Sequence, residues 1–263
     1  MATNQENKPK CFGYTGAYAF FSCIVKRYRY IHNEYTKCFL DAVSATSKNR
    51  ETSFCKDTKF WRAQLGSAKA EGISYHGVTS FQDIPYRPER MKPLANSAKE
   101  GRANPKGIPC LYLATSDQTA IQEVRPLLGS KISMAQFRII KDLKIVDCSK
   151  NIHKLDGTGY DSLGIDLKQE ETLSDHEKEE CVWSWIDRAF SEPIDPSDDK
   201  ADYVPTQILA ELFKTAGYDG IFYNSTYAQG KNIALFDLKS AEQSDCKLYR
   251  IDNIPPFGFK EII

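Results

Sequence analysis

The segment from residue 101 to residue 126, GRANPKGIPCLYLATSDQTAIQEVRP, constrains the fold more than any other part of the chain. Its glycines, asparagine and two prolines are typical of turns, and the apolar run CLYLA that follows predicts a short strand. Thr115 or Ser116 is then a suitable N-cap for a helix with an acidic first turn. Because Pro126 discourages continuation, we expect Glu123 near the end of that helix.

Helical and strand-like segments alternate irregularly along the rest of the chain. Helices are predicted in residues 13–47, 172–190 and 206–216, and strands at 59–65, 132–139, 143–146, 220–225, 232–237 and 247–251. The strands at 132–139 and 143–146 are expected to form a hairpin. Residues 70–99, rich in Pro, Lys and Glu, are expected to form a long loop, which is either functional, as a lid over a substrate would be, or merely mobile. Without repeats or a regular βαβ alternation, the order of segments indicates the α+β class.

The charge balance of the chain excludes several classes of function. With 35 basic and 35 acidic side chains the net charge is zero, so the chain lacks the positive field that drives non-specific binding to nucleic acid or anionic membranes. The basic cluster KRYRY at residues 26–30 is a solvated helix face or a small nucleic-acid surface. No apolar run approaches the roughly 20 residues that cross a bilayer, and the N-terminus is polar. We therefore expect a cytoplasmic protein without a membrane partner.

Cysteine and histidine are scattered, which argues against a metal site. The eight cysteines form no CxxC pair, and the four histidines lie at no zinc-ligand spacing, so we expect no metal and buried free thiols. The absence of GxGxxG and GxxxxGK[ST] also excludes the dinucleotide-binding fingerprint and the P-loop.

Three separated segments together form a recognisable pattern. Arg62 stands in FWRA, Glu123 in TAIQEV and Ser225 in DGIFYNSTYAQGKNIALF, with the turn GRAN and the strand LYLA between the first two. With these residues the sequence resembles the RES domain family, the NAD-consuming toxins of bacterial toxin–antitoxin pairs, named after an arginine, a glutamate and a serine. YVPTQILAELFKTAGYDGIFY also matches, so the resemblance runs from about residue 60 to residue 237. Ala103 departs from it, since many members carry an aromatic residue there.

The resemblance implies a fold and a division of the chain. The fold is that of the diphtheria-toxin type of ADP-ribosyltransferase, a pair of small antiparallel sheets with flanking helices and with NAD in the cleft between the sheets. Residues 1–55 have no counterpart and are predicted to be a helical N-terminal extension, and residues 56–263 the NAD-consuming domain.

The resemblance also implies roles for individual residues. Glu123 would stabilise the positive charge that moves to the ribose as nicotinamide leaves. Arg62 and Arg102 would bind the NAD pyrophosphate, because planar guanidinium groups suit phosphate oxygens. Ser225 would hydrogen-bond a phosphate or the ribose, and Tyr112 would stack on nicotinamide or hydrogen-bond within the cleft. The catalytic set is thus Glu123, Arg62, Tyr112 and Ser225, and the NAD-binding set is Arg62, Arg102, Asn104, Tyr112, Ser225 and Asn232.

Several of these expectations have alternatives. Taken singly, each of these residues has an ordinary structural explanation, and only the joint pattern favours a site. Gly230 and Asn232 either shape the cleft or form a hairpin turn. Trp61, Trp183 and Trp185 are expected in the core.

The resemblance allows three acceptors for the ADP-ribose group and implies two kinds of partner. Water would make the protein an NAD glycohydrolase, inorganic phosphate an NAD phosphorylase, and a protein side chain an ADP-ribosyltransferase. Phosphate would need a second anion site, for which Arg125 or Lys106 is a candidate. The expected partners are a cognate antitoxin and a second copy of the chain. The alternative is an NAD-binding sensor module without turnover.

Overall fold

The computed structural model describes residues 11–75, 78–94, 97–150, 170–192 and 200–253. The described helices are α1 (Tyr14–Lys26), α2 (Glu34–Thr46), α3 (Pro88–Met91), α4 (Asp117–Glu123), α5 (Asp175–Ser191) and α6 (Val204–Thr215). The described strands are β1 (Glu51–Phe54), β2 (Lys59–Leu65), β3 (Ala68–Tyr75), β4 (Val78–Ile84), β5 (Leu111–Ala114), β6 (Lys131–Ile139), β7 (Leu143–Asp147), β8 (Gly220–Asn224), β9 (Lys231–Leu235) and β10 (Ala241–Arg250). Helices and strands in this order form an α+β protein, as predicted.

Eight of the strands form one mixed sheet in the order β1-β7-β8-β9-β5-β2-β6-β10. Its pairs are antiparallel except β7 with β8. The two halves of the sheet join where β5 meets β2, through the single registered pair Trp61 and Ala114. The expected pair of separate antiparallel sheets is therefore replaced by one sheet with a narrow joint.

Strand alternation sends neighbouring side chains of β8 into two different cores. Ile221 and Tyr223 face a cluster built with helices α1, α2, α5 and α6, whereas Phe222 faces a second cluster built with β5, β6 and β9. The helical cluster contains Trp183, which is buried as predicted, and Phe190 from the same face of α5. Because α1 and α2 belong to this cluster, the N-terminal helices and the sheet share one core.

Local sequence signals explain the ends of the helices. Ser116 caps α4 by accepting a hydrogen bond from the Thr119 backbone N–H, as predicted for this segment. Ser174 and Glu177 form a capping box at the start of α5. Gly217 follows α6 with φ +86°, a left-handed conformation that suits glycine after a helix.

Two predictions about strands are wrong. Residues 70–99 were expected as a loop, but β3 and β4 pair as a hairpin and α3 follows them. The strands β6 and β7 were expected to pair with each other, but β6 pairs with β2 and β10, and β7 with β1 and β8. The short connection between β6 and β7 passes the chain from one half of the sheet to the other, and only tertiary contacts decide this.

The cysteines also depart from expectation in one respect. Cys11 and Cys38 form a disulfide that ties the residues before α1 to α2. Cys110 and Cys148 are buried free thiols, as predicted, and Cys55 is exposed. Across the described ranges, none of the helices has the length and apolar character needed to span a bilayer.

Candidate active site

A cavity of about 320 Å³ opens beside the joint between β2 and β5. Its walls come from β2, the turn after residue 100, β5, α4, β8 and β9, and are formed by Trp61, Arg62, Ala63, Gly101, Arg102, Tyr112, Leu113, Ala114, Ala120, Glu123, Val124, Tyr203, Tyr223 and Asn232. Five of the predicted site residues are therefore brought to one cavity: Arg62, Arg102, Tyr112, Glu123 and Asn232.

Glu123, the last residue of α4, carries the carboxylate of this cavity. Its Oε1 accepts a hydrogen bond of 2.6 Å from Ser225 Oγ and one of 2.7 Å from Asn232 Nδ2. Ser225 Oγ in turn accepts from the backbone N–H groups of Tyr227 and Ala228, both at 3.2 Å. One carboxylate oxygen is thus fixed by two donors, and Oε2 has no hydrogen-bond partner within the described ranges.

The turn between β8 and β9 needs a glycine to bring Ser225 to Glu123. A Cβ on Gly230 would lie 2.1 Å from Thr119 Oγ1 and 2.9 Å from Thr115 Oγ1, so any side chain would push the turn away from the start of α4. The Ser225 N–H donates to the Gly230 carbonyl at 3.1 Å, which closes the turn. Of the two residues with alternative predictions, Gly230 belongs to the hairpin turn and shapes the site through it, whereas Asn232 lies in β9 and donates to Glu123 directly.

Arg62 is a half-buried cation that has no carboxylate partner among the described residues. Its Nη1 donates to the Tyr112 carbonyl at 2.8 Å, and its buried Nε has no partner in the part of the chain that the structure describes. Burial lowers the pKa of Arg62 to about 10, with a smaller lowering from the charge of Arg90. The other side chains that act on this pKa are Cys110 and Tyr112, neither of which is a carboxylate. Arg62 therefore stays protonated at neutral pH, with donor capacity to spare.

The turn at residues 101–104 is held by Tyr112 and Asn104. Tyr112 OH donates to Asn104 Oδ1 at 2.7 Å and accepts from the Ala103 N–H at 2.8 Å. Asn104 Nδ2 donates to the carbonyls of residues 99, 105 and 108, so its amide is occupied by its own loop. Gln207 Nε2 donates to the Gly101 and Asn104 carbonyls at 2.9 and 3.1 Å. Tyr112 therefore presents its ring to the cavity, and Asn104 shapes the turn.

The same turn carries Arg102 into the cavity. Arg102 Nη1 donates to the Ala189 carbonyl at 3.1 Å, and its guanidinium lies 5.8 Å from the centre of the Tyr203 ring. Gly101 has no room for a side chain, since a Cβ would lie 2.7 Å from Tyr112 OH. The tight packing of this glycine fixes where Arg102 stands.

Some residues were missed or misplaced by the sequence analysis. Trp61, expected in the core, lines the cavity, as do Tyr203 and Tyr223, which had no predicted role. Tyr203 and Tyr223 lie in YVPTQ and GIFYNS, two segments that resemble the RES family. Their position in these segments could have identified them as site residues. Neither proposed phosphate residue lines the cavity: the Arg125 guanidinium lies 4.5 Å from the centre of the Tyr227 ring, and Lys106 lines a different cavity.

Cys110 lies next to this cavity but is chemically unsuited to act as a nucleophile. Its Sγ donates to the Leu235 carbonyl, and burial raises the pKa of its thiol to about 12. Because the thiolate is the reactive form, we expect iodoacetamide at pH 8 to modify exposed Cys55 and to leave Cys110 unmodified in the folded protein. Peptide mass spectrometry measures both, with the unfolded protein as the control. Labelling of Cys110 as fast as Cys55 would contradict this assignment.

The fold and the site define a class of protein: an α+β domain in which a glutamate, oriented by a serine and an asparagine, faces a cavity flanked by two arginines. The chain belongs to the RES domain family, whose family model matches residues 59–256. A solved structure, the M. tuberculosis MbcT-MbcA toxin-antitoxin complex, contains a chain with 11% sequence identity and a TM-score of 0.35, covering 80% of this chain and 92% of that one. No curated protein matches.

Proposed function

We propose that this protein is an enzyme that breaks the bond between nicotinamide and ribose in NAD, and that it acts as a toxin by depleting NAD in the cytoplasm. The observation that carries the proposal is the Glu123 carboxylate, fixed on one oxygen by Ser225 and Asn232 at the wall of a cavity flanked by Arg62 and Arg102. Membership of the RES family supports it.

The proposed reaction uses charge rather than a covalent protein intermediate. The bond from ribose C1 to the nicotinamide nitrogen breaks with its electron pair going to nicotinamide, which leaves as a neutral molecule. The positive charge moves to the ribose ring, where the ionised Glu123 stabilises it. The acceptor then bonds to C1 and releases its proton to solvent when it is water. This step needs no metal, because the leaving group requires no activation by one.

The other cavity residues fit a dinucleotide. Arg62 and Arg102 offer guanidinium donors for the pyrophosphate, and Arg62 Nε is a buried donor that has no acceptor among the described residues. Trp61, Tyr203 and Tyr223 provide aromatic faces for the pyridinium ring of NAD, which is cationic before cleavage. Tyr112 contributes its ring rather than its hydroxyl, and Asn104 supports binding by shaping the turn.

The finer parts of the proposal concern fold type, acceptor and partners. We assign the ADP-ribosyltransferase type of fold, in which the joint between the two halves of the sheet forms the NAD cleft. Water or inorganic phosphate is the proposed acceptor, with a protein side chain as the alternative. The proposed partners are an antitoxin that covers the cleft and a second copy of the chain.

Ser225 is proposed as a positioning residue that acts through Glu123. We expect Ser225→Ala to lower kcat for NAD cleavage about 10- to 100-fold, because a hydrogen bond to a charged group contributes about 1.5–3 kcal/mol. We expect a smaller weakening of NAD binding. Steady-state kinetics measure both values. Thr226→Ala is the matched control, since Thr226 donates to the Ser191 carbonyl and not to Glu123. A folded Ser225→Ala protein with wild-type kcat and KM would remove Ser225 from the site.

Expression in bacteria tests the proposed function in a cell. Induced wild-type protein is expected to lower total cellular NAD and arrest growth, and Glu123→Gln at equal expression is expected to do neither. Growth arrest with unchanged NAD would contradict the proposal. Binding of NAD by the purified wild-type protein without cleavage would favour the sensor module instead.

A further inference from the structure

A second and larger cavity, of about 810 Å³, lies on the other side of Arg62. Arg62 and Tyr112 belong to the walls of both cavities, so the two are neighbours. The second cavity is lined by four basic side chains, Arg62, Arg90, Lys92 and Lys99, and by one acidic residue, Glu100. The balance of charge on its walls is therefore strongly positive in a chain whose net charge is zero.

The two arginines of this cavity are held by neutral groups. Arg62 donates to a backbone carbonyl, and Arg90 Nη1 donates to Gln64 Oε1 at 3.0 Å while its guanidinium lies 5.1 Å from the centre of the Tyr86 ring. The described salt bridges include neither arginine. Their like charges repel, and the positive charge of Arg90 contributes to the lowered pKa of Arg62. Arg90 is exposed, whereas the guanidinium of Arg62 is largely desolvated. An anion bound in the cavity that both line would offset their mutual repulsion and the desolvation of Arg62.

Lys92 adds positive charge to the wall of this cavity, but it has fewer spare hydrogen-bond donors than the two arginines. Its Nζ donates to the Leu238 and Ala241 carbonyls at 2.8 and 2.6 Å. Burial lowers the pKa of Lys92 from its ordinary value near 10.5. Lys99, in contrast, is exposed and has no competing carboxylate in the described salt bridges.

We propose that this second cavity binds a phosphate group, with Arg62 and Arg90 as its ligands and Lys99 as an auxiliary cation. Guanidinium groups bind phosphate oxygens through paired N–H donors, which matches the spare donors found here. The phosphate is either part of a dinucleotide that extends past Arg62 or an inorganic phosphate. A role for either phosphate in the cleavage of NAD rests on the proposed function. The binding of phosphate in this cavity does not.

Isothermal titration calorimetry at constant ionic strength tests the proposal, with inorganic phosphate and NAD as separate probes. The full chain carries Glu123→Gln so that NAD is not consumed, alone or combined with Arg90→Gln. The matched control is Arg138→Gln, because Arg138 is exposed, pairs with Asp57 and lies outside this cavity. Lys99→Gln is a second variant at an exposed position.

We expect Arg90→Gln to weaken binding of at least one probe tenfold or more, and Lys99→Gln to weaken the same probe less. If the phosphate belongs to the dinucleotide, Arg90→Gln weakens NAD binding and inorganic phosphate competes with NAD. If the site takes inorganic phosphate, Arg90→Gln weakens the binding of inorganic phosphate and leaves the affinity for NAD unchanged. Inorganic phosphate and NAD then bind to the protein at the same time. Equal affinities of Arg90→Gln and Arg138→Gln for both probes would overturn the proposal. If the protein proves not to cleave NAD, the proposed function fails but the measured affinity for phosphate still stands. Failure of the proposed function and failure of the phosphate site are therefore distinguishable.

Discussion

Glu123→Gln is expected to slow NAD cleavage at least about 100-fold while the protein stays folded and still binds NAD. Glutamine has the size of glutamate, and its side-chain oxygen can still accept from Ser225 and Asn232. What is lost is the negative charge beside the ribose, where positive charge develops in the transition state. A charge that stabilises only the transition state affects kcat more than binding.

The measurement is the steady-state rate of nicotinamide release, together with the thermal unfolding midpoint of each protein. Glu192→Gln is the matched control, because Glu192 is an exposed glutamate that pairs with Arg188 on α5, outside the cavity. The control should keep the wild-type rate. A folded Glu123→Gln protein that also keeps the wild-type rate would contradict the assignment of the site.

Arg62→Met is expected to separate activity from stability. Without the guanidinium, kcat/KM for NAD should fall about 100-fold or more, since two hydrogen bonds to a charged phosphate contribute about 1.5–3 kcal/mol each. The ligand-free protein should be at least as stable as wild type, because methionine fills a similar volume and removes a largely desolvated charge that has no carboxylate partner among the described residues. The lost hydrogen bond to the Tyr112 carbonyl partly offsets this gain.

Chemical unfolding of the ligand-free proteins and steady-state kinetics test this pair of effects. Arg138→Met, at an exposed arginine, is the control for the general effect of losing one positive charge. A fall of several kcal/mol in the free energy of unfolding of Arg62→Met would mean that Arg62 is mainly structural. Unchanged kcat/KM would exclude it from NAD binding.

The elements around the site could be predicted where local signals decide them. Lys59–Leu65 was predicted with its observed bounds, and the helix with Glu123 at its end follows from Ser116 and Pro126. The pairing partners of β6 and β7 could not be predicted, because strands that are neighbours in sequence pair with distant segments here. The β3–β4 hairpin was missed because the loop prediction rested on the Pro, Lys and Glu content of residues 70–99 as a whole, most of which lies after β4.

The site could be predicted only through the joint pattern of its residues. Glu123 is separated from Ser225 by 102 positions and from Asn232 by 109, so no local spacing relates them. The pattern identified the residues but not which atoms they use. The hydroxyl of Tyr112 and the amide of Asn104 are occupied by the turn, and that depends on packing which a sequence does not display.

The most direct test of the central claim is proton NMR of NAD incubated with the purified protein, with and without inorganic phosphate, beside Glu123→Gln. We predict that nicotinamide appears with the wild-type protein, accompanied by ADP-ribose if water is the acceptor or by ADP-ribose 1″-phosphate only in phosphate if phosphate is. Glu123→Gln should leave NAD intact over the same period. A wild-type protein that leaves NAD intact in both buffers, and also after addition of cell extract as a source of protein acceptors, would contradict the claim that this site cleaves NAD.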